Sequence, residues 1–63
     1  MYNIGDTVRH IRTGRVYVIV LVAKSVVDLS DHYIYRSLGS PNELPWVRSA
    51  SQMEDGRFEM HAV

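Results

Sequence analysis

Four or five short β-rich segments, about a dozen residues apart and divided by turn residues, predict an all-β fold. No helical stretch of any length interrupts them. At 63 residues the chain has the size of one small antiparallel barrel, and the five-stranded SH3-like barrel fits best, with residues 1–63 as a single domain. A chain this short buries only about 60% of the surface that its unfolded form exposes, so marginal stability is expected. The absence of cysteine removes disulfides and thiolate zinc sites as supports. A well-packed β core or self-association as a homodimer must supply the stability instead.

The elements follow in order. NIGDTV at 3–8 opens with a tight turn on Gly5 and Asp6, and TVRHI at 7–11 reads as a first strand suited to a pleated surface. RTGR at 12–15 is the next turn, where Gly14 takes positive φ without steric cost. VYVIVLVA at 16–23 is apolar and mostly β-branched, too short and too stiff at χ1 for a helix. It lacks polar alternation, so both faces are covered or the strand bends between two sheets. Plain alternation places Val18, Val20 and Val22 on one face, with Tyr17, Ile19 and Leu21 on the other.

AKSVVDLSDH at 23–32 reads as a β-bend or connecting loop, with Asp28, Ser30 and Asp31 as turn chemistry. HYIYRSL at 32–38 is a third strand, with Tyr33, Tyr35 and Ser37 on one face and Ile34, Arg36 and Leu38 on the other. GSPNE at 39–43 is a loop by composition. LPWVRS at 44–49 is a fourth strand, in which Pro45 lacks a donor and suits an edge or a strand start. SASQM at 49–53 predicts a single 3₁₀ turn near 50–53. Asp55-Gly56 then signals a turn into a final strand, Arg57–His61.

VRHIRTGRVYVIVLVAKS, YIYRSL, PWVRS and a late GRFE together resemble a short bacterial and phage domain family of unknown function. Its members carry Arg-His, a turn glycine, Tyr-x-Val, then Val-Tyr-Arg-x-Leu and Trp-Val-Arg. The matching positions are Arg9, His10, Gly14, Tyr17, Val18, Tyr35, Arg36, Leu38, Trp46, Val47 and Arg48. The chain has KSV where the family has His-Ser-Glu, and Ser49 where it has proline. The resemblance implies a compact β fold in a phage or bacterial setting. It supplies no activity and no site residues.

Charge narrows the function. The net charge is zero, but residues 1–24 hold Arg9, Arg12, Arg15 and Lys24 against Asp6 alone, while the last third is acidic. A neutral domain lacks the whole-molecule positive field of a non-specific nucleic-acid binder, which leaves only a local basic patch at the first hairpin. The apolar run is too short to span a membrane, so a cytoplasmic protein is expected.

No catalytic motif frames a nucleophile. Ser25, His10 and Asp28 form a triad only on paper, and Asp28, Asp31 and His32 read as turn formers rather than metal ligands. The chain is therefore read as no enzyme, with no cofactor and no metal. Its expected role is that of a protein-interaction module, such as a phage-encoded modulator or inhibitor of a host factor. The candidate contact residues are Arg12, Arg15, Tyr33, Tyr35, Arg36, Trp46 and Arg48. Among them Trp46 is expected in the core or half in it, and one of Tyr33 and Tyr35 in solvent. Arg36 and Arg48 share faces with apolar residues, so each must pair with a carboxylate or lie over an aromatic ring. Two alternatives stand beside this reading. One is an accessory nucleic-acid-binding protein using Arg9, Arg12, Arg15 and Lys24, with stacking on Tyr35 or Trp46. The other is a self-assembling structural protein pairing through an open strand edge.

Overall fold

A computed structural model describes residues 1–40 and 42–62. Pro41, inside the expected 39–43 loop, and Val63 lie outside the described residues. The chain forms the expected all-β, SH3-like fold. Its elements are β1 (Thr7–His10), β2 (Val16–Lys24), β3 (Asp31–Ser37), β4 (Trp46–Ser49), α1 (Ala50–Met53) and β5 (Phe58–Met60). All five strands pair antiparallel in one sheet of order β4-β3-β2-β1-β5. Consecutive strands form hairpins, whereas β4 and β5 lie at opposite edges. The chain therefore crosses from one edge to the other through α1. This single turn is α-helical rather than 3₁₀, with Ser49 as N-cap accepting from the Gln52 N–H and with Met53 fully buried.

The two long hairpins close on the same four-residue loop. His10 N–H donates to the Arg15 carbonyl at 2.8 Å and Gly14 N–H to the His10 carbonyl at 2.7 Å. Likewise Ser25 N–H donates to Ser30 at 2.9 Å and Leu29 N–H to Ser25 at 2.9 Å. The fourth loop residue is left-handed in both, Gly14 at φ 77° and Leu29 at φ 60°. Glycine adopts this region without cost and leucine does not, so the second turn carries conformational strain that the first avoids.

The core is Val8, Ile19, Tyr33, Tyr35, Met53 and Phe58, with Tyr2, Tyr17, Val22 and Ala50 packed against it. Simple alternation along β2 fails at one point. Ile19 pairs with Tyr35, but Leu21 pairs with Ile34, so Val20 is an extra residue and the strand bulges. Up to the bulge Tyr17 and Ile19 face inward; beyond it Val22 does, and Leu21, expected beside them, is half exposed. The bulge keeps β2 in step with the unbroken alternation of β3, which turns Tyr33 and Tyr35 to the same inner face. Leu21→Thr is accordingly expected to change stability by no more than about 0.5 kcal/mol in urea titration. A cost of about 2 kcal/mol or more, as for a truncated core side chain, would mean that Leu21 faces the core.

Both tyrosines are buried, contrary to the expected exposure of one of them. Burial is tolerated because each hydroxyl has a partner: Tyr33 donates to Glu54 Oε2 at 2.7 Å, and Tyr35 accepts from Arg48 Nε at 3.3 Å. Trp46 is no core residue, with half of its surface in solvent. It follows Pro45 at the start of an edge strand, where the inner face runs out to the rim.

Candidate interaction site

Four of the seven candidate contact residues, Arg12, Tyr35, Trp46 and Arg48, meet at one end of the barrel. The meeting is set by pairing remote in sequence, since β1 lies against β5 with His10 opposite Phe58, and Ile11 N–H donates to the Arg57 carbonyl at 3.0 Å. The first hairpin loop is thereby set beside the Asp55-Gly56 turn, where Gly56 has φ 102° and Arg57 N–H donates to Asp55 Oδ1. Between these turns lies a recess of about 640 Å³ lined by His10, Ile11, Arg12, Arg48, Gly56 and Arg57. A smaller recess of about 210 Å³ adjoins it through His10 and Arg48, and its other walls are Thr13, Tyr17, Tyr35, Trp46 and Phe58. The larger recess is cationic and the smaller one aromatic.

Arg48 stands where they join. Its guanidinium carbon lies 5.6 Å from the centre of the Phe58 ring, and its Nε donates to Tyr35. Of the two fates expected for such an arginine, the structure shows the aromatic one. Phe58 itself is braced by rings set edgewise or tilted, His10 at 4.9 Å, Tyr35 at 5.8 Å and Tyr17 at 6.2 Å between centres. Among the described residues no carboxylate pairs with Arg12 or Arg48, whereas Arg57 Nε is paired with Asp55 at 3.2 Å. His10 Nδ1 is 3.1 Å from the Thr13 hydroxyl within the turn.

The remaining candidates lie elsewhere. Tyr33 is in the core like Tyr35, but it borders neither of these recesses. Arg36 is on the outer face, opposite Val18. Arg15 is exposed in the first turn but lines neither recess. The four cations of the nucleic-acid alternative are dispersed. Arg9 is tied to Glu59 at 2.6 Å on the outer face, and Lys24 to Asp31 at 2.8 Å. Lys24 also ends a nine-residue strand, about 25 Å along β2 from the first hairpin loop.

The groups that could have suggested chemistry are engaged otherwise. Asp28 Oδ1 accepts from both the N–H and the hydroxyl of Ser30, which holds its carboxyl below the usual aspartate range. Ser25 Oγ accepts from Val27 N–H in the same turn. Among the described residues no group of three or more His, Asp or Glu side chains is placed to hold a metal, and no helix is long and apolar enough to cross a membrane.

Sequence reasoning missed His10, Ile11, Gly56 and Arg57 as recess residues, because nothing local announces that β5 returns to β1. It also assigned only turn chemistry to the second hairpin loop. There Val26, Val27 and Leu29 are 95%, 90% and 71% exposed, at the opposite end of the barrel from the recesses. Compared with protein-family models, with curated proteins and with solved structures, the chain matches none.

Proposed function

We propose that this domain is a non-enzymatic protein-interaction module that takes an acidic segment of its partner into the recess between the first hairpin loop and the Asp55-Gly56 turn. One observation carries the reading. Arg12 and Arg48, neither with a carboxylate partner among the described residues, line one recess, and Arg48 and the half-exposed Trp46 line the neighbouring one. Arginine and tryptophan are the side chains that most often anchor protein interfaces, and two unneutralised guanidinium groups call for acidic groups opposite them. A nucleic-acid backbone would need a longer track of cations than the scattered Arg9, Arg15 and Lys24 provide. The resemblance noted above suggests a host protein as partner and a phage-encoded modulator as the domain's role.

Capture from bacterial lysate with the tagged domain tests this, run with and without nuclease. A stoichiometric protein is expected to survive nuclease and to be lost with an Arg12→Glu, Trp46→Ser double variant that remains folded by circular dichroism. Arg12 is exposed and Trp46 half exposed, and neither belongs to the buried core, so the double variant spares it. Capture of nucleic acid alone, released steeply as salt rises, would overturn the reading. Equal capture of the same protein by the double variant would move the contact away from these recesses.

A further inference from the structure

We propose that the two adjoining recesses form a two-part receptor for a peptide segment with an acidic residue directly next to an aromatic one. In this arrangement Arg48 receives the carboxylate and the aromatic recess receives the ring. The inference rests on the protein-interaction reading above and adds the chemistry that the partner presents.

The argument begins with Arg48. A guanidinium has five N–H donors in a rigid plane. Here the group has two contacts, the Phe58 ring at 5.6 Å from its carbon and the Nε bond to Tyr35. The terminal nitrogens make no hydrogen bond or ion pair among the described residues, and no buried side-chain nitrogen there lacks a partner, so they are open to solvent. A fork fixed in this way loses little freedom when it meets a planar carboxylate with two oxygens. Lining the same hollow, Arg12 adds a second uncompensated charge, whereas Arg57 is already neutralised by Asp55. The larger recess therefore selects for negative charge.

The second half of the receptor follows from size and lining. Sites for drug-sized ligands run to about 300–1,000 Å³, so 210 Å³ suits a single side chain. Its walls are Thr13, Tyr17, Tyr35, Trp46 and Phe58, with His10 and Arg48 shared with the larger recess, a lining that favours an aromatic ring by edge and face contacts. Arg48 borders both recesses, so the two ligand groups must lie close together, as adjacent residues in a turn of one chain can.

The test is a titration of the isotope-labelled full chain, read by NMR at the Arg48 Nε–H and the Trp46 indole N–H. The probe is a blocked tetrapeptide, Gly-Glu-Tyr-Gly, with Gly-Gln-Tyr-Gly, Gly-Glu-Ala-Gly and oligothymidylate as comparisons. Gly-Glu-Tyr-Gly is expected to shift both resonances, and each peptide control to bind about tenfold more weakly. Arg48→Lys, which keeps the charge and loses the fork, is expected to bring a similar loss. Arg12→Ser is expected to cost a few-fold with the fold unchanged. If Gly-Gln-Tyr-Gly binds as well as the acidic peptide, or if no peptide shifts either signal up to about 10 mM, the two-part receptor is wrong while protein capture can still stand. Oligothymidylate binding in place of the peptide would overturn both readings at once.

Discussion

Phe58→Ala is expected to remove a large part of the domain's stability. β5 has three residues and pairs within the sheet only with β1, and Phe58 is its one buried side chain. The ring nevertheless links both edges of the sheet, touching His10 of β1, Tyr17 of β2, Tyr35 of β3 and Arg48 of β4. Backbone pairing leaves β4 and β5 at opposite edges, so this ring and its neighbours close the barrel at that end. Truncating a buried phenylalanine costs about 3–5 kcal/mol in lost burial and residual cavity. The whole stability of a domain this size is about 3–9 kcal/mol. The expected readout is a fall in Tm of more than about 12 °C, or no cooperative transition at all, in thermal and urea unfolding followed by near-ultraviolet circular dichroism. Phe58→Leu, which keeps most of the apolar volume, should cost roughly 1 kcal/mol and retain the transition. A Phe58→Ala protein melting within about 4 °C of the parent would show that β5 does not close the barrel.

What the sequence made legible divides along the range of the interactions involved. The turns at Gly14 and Asp55-Gly56 are local chemistry and lie where their residues place them, as do the five strands to within a residue or two. The common face of Tyr33 and Tyr35 also follows from the pleat alone. The β2 bulge was not legible, because an unbroken run of valines, leucine and isoleucine carries no polar mark to show where alternation slips. Only the demand that Ile19 and Val22 both meet the inward tyrosines fixes it. The burial of both tyrosines was not legible, because the partners that satisfy the Tyr33 hydroxyl lie 31 and 21 residues away, at Tyr2 and Glu54. The site was legible in part. Arg12, Trp46 and Arg48 were named from residue type, but their convergence depends on a β1–β5 pairing that no short-range pattern encodes.

Those distant partners of Tyr33 make the domain sensitive to alkali in a defined window. The Tyr33 hydroxyl accepts from Tyr2 N–H at 2.9 Å and donates to Glu54 Oε2 at 2.7 Å. Burial, together with this bond to a carboxylate, pushes its pKa from 10.0 up to about 12. Burial and the Glu54 charge also raise Tyr2. The folded state thus holds the phenolic proton more tightly than the unfolded chain does. The stabilisation is fully present below pH 10 and is lost as pH rises from there through about 12. A shift of this size corresponds to about 2 kcal/mol, allowing for the solvent that reaches the half-exposed Glu54. Tyr33→Phe should separate the contributions. At neutral pH it is expected to cost about 1 kcal/mol, because Tyr2 N–H loses its acceptor and the ring itself stays packed. Between pH 10 and 12 the variant should lose less stability than the parent, retaining the slope from Tyr2. Urea midpoints measured every half unit from pH 8 to about 12 provide the comparison. Parallel curves for the two proteins would place the alkaline transition on another group.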